Sequence, residues 1–362
     1  MAKRSFRIAL GVVLTTLAIA IVLGVVFIRH ALAYGETAHD GAGKDVEIEV
    51  TSGMSFPSVQ QLLADKGVID HPRWFHLLAM WEGHTTDVKP GKYLFKDNLA
   101  PHDVLAVLIK GIKDATVKVT IPEGKNMLEV FEILDTARVA HAPELEALAR
   151  DKDFLTKHAI QGDTVEGYLF PDTYVFRIGD KPAVVLNRMI TREQEVWNDL
   201  LAKHAREETR LEEKLKWTAR DFLVMASIVE KEAVDPAERP RIAQVFMNRL
   251  TSPTFNPKRL ETDPTIRYGC SVPLQKSAGC QGWDKKDRLH RAQLDDKDNP
   301  YNTYQHEGLP PGPISNPGRG ALEAVLSPDN SDYLFFVAKD ARNHAFAKTL
   351  EDHKRNVEKY MK

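Results

Sequence analysis

Uncharged residues run without interruption from Ile8 to Ile28, and no second stretch of that kind follows. A helix of these 21 residues is roughly 31 Å long, about the thickness of a bilayer hydrocarbon core. Lys3, Arg4 and Arg7 precede it and Arg29 alone follows closely. That excess predicts a single-pass anchor with a cytoplasmic N-terminus and an exported remainder. The rival reading is a cleaved signal peptide with Ala31-Leu32-Ala33 as the cleavage site, although such apolar cores usually run only about 7–15 residues. Residues 31–44, small and polar with Gly35, Gly41 and Gly43, read as a tether.

Alternation then predicts a strand around Val46, Ile48 and Val50, followed by a glycine turn, a Ser55 cap and an amphipathic helix. The same order returns 71 positions later with Val117, Val119, Ile121, Gly124 and Asn126, although any strand-turn-helix unit has this appearance. Between the copies, Trp74–Trp81 and Val104–Ile109 have helical spacing and Lys92–Phe95 reads as a short strand. This is a small α+β module over 45–115. Further on, Pro143–Arg150 and Phe154–His158 read as helices and Val165–Phe176 as aromatic and turn-rich. Ala183–Lys214 reads as a long charged helix with one break, and Arg241–Leu250 as a buried one. Thr251–Ser331 is expected to be mostly loop, and such a long stretch inside a domain usually carries function. Tyr333–Ala338 and Ala345–Ala347 predict strands, and Leu350–Tyr360 a closing helix.

The sharpest pattern is LVMASIVEKEA, Leu223–Ala233, apolar on every side until Glu230. Such a helix is normally buried. At about 100° per residue Glu230 shares a face with Leu223, Ala226 and Val234. A carboxyl there loses solvation, its pKa rises, and it becomes suited to general-acid work. The plain alternative is a helix end reaching solvent. Three later clusters are candidates to converge on it: Glu261–Thr265, Tyr301–Tyr304 and Gly308–Gly318. Their hydroxyls, amides and aromatic rings suit a neutral polyhydroxylated ligand, though each cluster alone also reads as ordinary turns.

Lys and Arg total 49 against 51 Asp and Glu, with no basic stripe, so nucleic acid is not an expected partner. Cys270 and Cys280 are the only cysteines; export permits a disulfide between them, with two free thiols as the alternative. No zinc pattern, Walker loop, dinucleotide fingerprint or G-x-S-x-G motif occurs, and neither metal nor cofactor is expected.

Several runs in fixed order carry a resemblance: EGYLFPDTY from Glu166, ASIVEKE from Ala226, Asp263-Pro264-Thr265, YNTY from Tyr301 and GLPPGPISNPG from Gly308. With the strand-helix module before Gly111 and the strand from Tyr333, the chain resembles the MltG (YceG-like) endolytic murein transglycosylases. The resemblance implies an α+β protein: residues 1–30 as cytoplasmic tip and transmembrane helix, 31–44 as linker, 45–115 as a LysM-like module and 116–362 as the catalytic domain. It implies a lytic transglycosylase of the bacterial inner membrane with a periplasmic catalytic domain. The enzyme would cut the MurNAc-GlcNAc bond within nascent peptidoglycan strands, leave 1,6-anhydroMurNAc ends and so end glycan elongation. Peptidoglycan synthases are the partners suggested. The family's catalytic glutamate maps onto Glu230. Substrate contacts are expected from Asp263, Thr265, Tyr301, Asn302, Thr303, Tyr304, Leu309, Pro310 and Asn316. Tyr268–Asn299, with both cysteines, reads as an insertion on the cleft rim. The competing function is a non-catalytic, membrane-anchored glycan-binding scaffold of the cell-wall machinery.

Overall fold

The computed structural model describes residues 2–51, 53–111 and 116–361, with only the backbone considered at 2–16 and 31–32. The chain is mixed α+β and divides into two compact units, residues 1–115 and 116–362.

The first unit opens with one long helix, α1 (Ala2–Glu36), whose segment Leu17–Glu36 is apolar enough to cross a membrane. The helix runs on to Glu36, so the polar tether expected from residue 31 begins later. The Tyr34 hydroxyl reaches His71 O at 3.2 Å, and Trp74 packs its ring 5.1 Å from that of Phe27. After it come β1 (Asp45–Val50), α2 (Phe56–Asp65), α3 (Pro72–Glu82), β2 (Gly91–Lys96) and α4 (Pro101–Lys110). β1 pairs antiparallel with β2, Ile48 opposite Tyr93. Alternate strand residues Ile48, Val50, Tyr93 and Phe95 meet Val59, Leu63, Phe75 and Leu105 in one buried cluster.

The second unit begins with β3 (Thr116–Thr120) and α5 (Met127–Thr136), then α6 (Ala142–Ala149), α7 (Lys152–Lys157) and β4 (Thr173–Arg177). The caps expected at both echoes are present: Ser55 accepts from Ser58 N, and Asn126 forms a reciprocal capping box with Glu129. β4 is a correction, because it lies in a run read as turns. It pairs antiparallel with β3, and its alternating Tyr174 and Phe176 turn inward.

α8 (Pro182–Leu215) has its single break at His204. α9 (Ala219–Glu232) carries the glutamate, followed by α10 (Arg239–Thr251). The stretch expected to be loop contains three more helices: α11 (Asp263–Ser271), α12 (Arg291–Leu294) and α13 (Arg319–Leu326). α13 buries Ala321, Leu322, Ala324, Val325 and Leu326 against α8, α9 and α10. Tertiary burial thus makes a helix of a segment too short to announce one. β5 (Phe335–Ala338), β6 (His344–Ala347) and α14 (Leu350–Tyr360) close the chain.

Every residue of α9 from Phe222 to Val229 is buried, between α10, α11 and α13. Each large apolar side chain buried this way contributes about 1.5–3 kcal/mol. Together they hold the charged end of the helix inside the protein against the desolvation cost. Val234 leaves the expected shared face: the helix stops at Glu232, Ala233 is extended, and Val234 is exposed.

Candidate active site

Glu230 sits in the last turn of α9, with its side chain only 6% exposed. Its Oε1 accepts from Arg239 Nη2 at 3.1 Å, and its Oε2 from the backbone N–H of Gly318 at 3.1 Å. Arg239, at the start of α10, also donates to Glu123 Oε2 at 3.1 Å. Main chain hems the carboxyl in. A Cβ at Gly124 would lie 3.4 Å from Glu230 Cγ, and one at Gly318 would collide with the Glu123 carboxylate. Gly124 moreover has φ +74°, a conformation that favours glycine. Lys231 Nζ donates to Gly124 O at 3.0 Å and ties this turn to the helix end.

Burial pushes the Glu230 carboxyl above the ordinary glutamate range; Arg239 and the Gly318 N–H pull it down, Glu123 pushes it up, and burial prevails. The carboxyl is thus biased toward holding a proton, with a cation and a backbone donor in place for the anion.

The proline-rich cluster reaches α9 as expected. Ile314 N donates to Ser227 Oγ at 3.0 Å and Ser315 Oγ to Ser227 O at 3.1 Å, one turn before Glu230. The other two clusters gather around Glu232, on the opposite side of the helix. The Thr262 hydroxyl donates to Glu232, and Thr262 N donates to Thr303 Oγ1 at 3.1 Å. Thr265 Oγ1 pairs with Thr303 Oγ1 at 2.9 Å, and the Tyr304 hydroxyl donates to Asp263 Oδ1 at 2.9 Å. Burial raises the Glu232 carboxyl as well.

Several residues expected to touch substrate have their polar atoms engaged inside the protein. Asn302 is fully buried and gives Nδ2 to the carbonyls of Gln293, Leu294 and Asp296. Asn316, also fully buried, donates to Lys125 O and Glu166 Oε1 and accepts from Leu169 N. Thr265 and Thr303 are buried, Pro310 is buried, and Leu309 packs on the main core. These residues shape the loops. Tyr301 differs: it lines a cavity of about 460 Å³ with Tyr168, Tyr268, Arg220 and Glu166. A second cavity, about 480 Å³, is bounded by Gly124, Lys231, Pro264, Arg267, Tyr268 and Ile314, and so borders the Glu230 turn. Tyr268 and Val272 line both. Arg239 and Glu123 were not singled out from the sequence, and Glu166 entered there only as the first residue of the EGYLFPDTY run. Only Glu166 left a signal there, a lone charge within the apolar run Val165–Phe170.

Cys270 and Cys280 form a disulfide that packs with Ile266, Trp283 and Leu294 in a small separate cluster. Within Tyr268–Asn299, expected as a rim insertion, Tyr268–Ser271 is the end of α11 and Tyr268 is buried in the main core.

The model of the YceG-like family matches residues 48–359. The endolytic murein transglycosylase of Bacillus subtilis (strain 168) is 30% identical over 352 residues, covering 92% of this chain and 91% of that protein. The protein of the same name from Streptococcus pneumoniae serotype 2 (strain D39 / NCTC 7466) is 25% identical, covering 88% of this chain but only 59% of the longer relative. A crystal structure of a yceG-like protein from Listeria monocytogenes superposes with a TM-score of 0.55 at 29% identity, covering 86% of this chain and 98% of that one.

Proposed function

The chain belongs to the YceG-like family, and on that footing we propose that it is an endolytic murein transglycosylase with Glu230 as its single acid and base. It cuts the MurNAc-GlcNAc bond inside nascent glycan strands and leaves 1,6-anhydroMurNAc ends. The observation that carries this is the setting of Glu230: buried, biased toward protonation, yet provided with Arg239 and the Gly318 N–H for its anion.

The chemistry follows from that setting. Protonated Glu230 donates to the glycosidic oxygen as the C1–O bond breaks. The carboxylate left behind is held by Arg239 and Gly318 N–H. It then takes the proton of the C6 hydroxyl as O6 closes on C1, so the ring forms without water and Glu230 ends protonated again. The rings of Tyr168 and Tyr301 supply faces for sugar stacking in the neighbouring cavity.

Glu123 favours a second reading. It shares Arg239 with Glu230, and a carboxylate pair is the apparatus of hydrolytic glycosidases. The products separate the two, since hydrolytic ends are one water heavier than anhydro ends. The test is digestion of purified, uncrosslinked peptidoglycan by the wild type and by Glu230→Gln, with products read by mass spectrometry. Anhydro ends from the wild type and none from E230Q are expected. Equal anhydro products from both would refute the assignment, and glycan binding without cleavage by either would make the chain a scaffold.

The apolar helix α1 supports a single-pass inner-membrane anchor, and the charges before it support a cytoplasmic N-terminus with the rest periplasmic. The β-α-α-β order of β1, α2, α3 and β2 supports a LysM-like module. A position beside peptidoglycan synthases follows from action on nascent strands.

A further inference from the structure

Glu166, between α7 and β4, has no part in the proton transfers above, yet it is buried to 2% exposure. Its two oxygens accept from Met127 N, each at 3.0 Å, and Oε1 also accepts from Asn316 Nδ2 at 3.0 Å. Met127 is the first residue of α5, where a backbone N–H has no partner within the helix. Asn316 extends the connection. Its Nδ2 and its backbone N both reach Lys125 O at 2.9 Å, and its carbonyl accepts from Gly124 N at 3.0 Å. Segments 124–127 and 316–318 are therefore laced together, with Glu166 underneath both. The ends of that lacing are Gly124 and Gly318, the two backbone groups that flank Glu230.

We propose that Glu166 is a positioning residue for Glu230: by holding Met127 N and Asn316 Nδ2 it fixes the paths of Gly124 and Gly318, and so aims the Gly318 N–H at the carboxyl. The inference rests on the reading of Glu230 as the acid and base, and adds what sets its geometry. Removing the Glu166 carboxyl leaves two buried donors without their acceptor, an unfavourable state that the loops relieve by moving. Burial, the dominant influence, pushes Glu166 up to about 8; the Met127 and Gly167 N–H groups and the Tyr268 phenol on α11 pull it down, and Glu129 on α5 pushes it up. It is therefore mostly neutral at pH 7, and glutamine is a close mimic of it.

The groups facing Glu230 are Arg239, Glu123, Lys231 and the Gly318 N–H. Lys231 meets the lacing through Gly124 O, and the Gly318 contact depends on it directly. Loss of the Gly318 contact removes a hydrogen bond that favours the carboxylate, so the Glu230 titration moves up. The test uses the full chain in detergent, with carbon-13 glutamate labelling, the Glu230 signal assigned through E230Q, and the titration followed without substrate. Turnover of glycan is measured alongside. In Glu166→Ala the Glu230 titration moves up and kcat falls by about a hundredfold, as a misplacement of about 1 Å produces. KM stays within about threefold, because the loss falls on the transition state. Glu166→Gln keeps an acceptor for both donors and restores titration and kcat. A general loss of stability would move neither the titration of the folded protein nor its rescue by glutamine. An unmoved Glu230 titration in folded E166A, or an E166Q that behaves like E166A, overturns the proposal. Should E166A fail to fold, Asn316→Ala must move the titration in the same direction, and an unmoved signal overturns it equally. Because the titration is read without substrate, an inactive wild type would sink the enzymatic reading and leave this result standing on its own.

Discussion

Glu193 gives the most quantitative prediction. It lies on the inward face of α8, 6% exposed, beside a cavity of about 240 Å³ with Trp197, Tyr168 and Leu223. No hydrogen bond or ion pair compensates it among the described residues, and burial alone pushes its carboxyl up to about 8. Unfolded, the same group titrates near 4.5. The native state therefore binds the proton more tightly. Its contribution to folding stability is greatest below the unfolded pKa, declines across the window from about 4.5 to 8, and is flat above it. At about 1.4 kcal/mol per pH unit, the Glu193 penalty at pH 7 is about 3 kcal/mol relative to acid conditions. Glu193→Gln removes the titration. Urea unfolding of the full chain in detergent, followed by tryptophan fluorescence at pH 5, 7 and 8.5, should find the variant near wild-type stability at pH 5 and more stable at pH 8.5. Wild-type and variant midpoints that stay parallel across that range would refute the reasoning.

Three further outcomes are expected. Gly318→Ala drives a methyl into the end of the half-exposed Glu123 side chain, which swings aside and leaves Arg239 to Glu230 alone; with Glu123 no longer pushing the Glu230 carboxyl up, the alkaline limb of the pH-rate profile should move to lower pH with the fold retained by circular dichroism. Arg239→Met deletes the cation that favours the Glu230 carboxylate; the alkaline limb of the pH-rate profile, where the acid loses its proton, should move to higher pH while kcat falls, and an unmoved limb would count against Glu230 as the acid. Thr262→Val strips Glu232 of its hydroxyl partner, which should cost about 1–3 kcal/mol in denaturant unfolding while leaving that limb in place.

The parts of the molecule legible in the sequence are those decided locally. α14 falls on its expected residues because its ends carry their own signals, with Thr349 capping the start. The caps at Ser55 and Asn126 were readable for the same reason, and α9 was readable because Leu223–Val229, apolar apart from Ser227, leaves no solvent face. β4, α11 and α13 were not legible: each is short, and long-range packing decides its form. The site divides likewise. Glu230 stands out within its own helix, whereas Arg239 and Glu123 join it only through tertiary folding, from positions 9 residues ahead and 107 behind. Asn302 and Asn316 show the converse limit. Amides in turn-rich segments look the same in sequence whether they serve a ligand or, as here, the carbonyls around them.

The glycines at 124 and 318 leave the proposed acid bordered by peptide groups as well as by the Arg239 guanidinium. Proton affinity at 230 is thereby bound to the course of two loops as well as to that cation, while Trp283 and the Cys270–Cys280 bridge belong to a small core of their own.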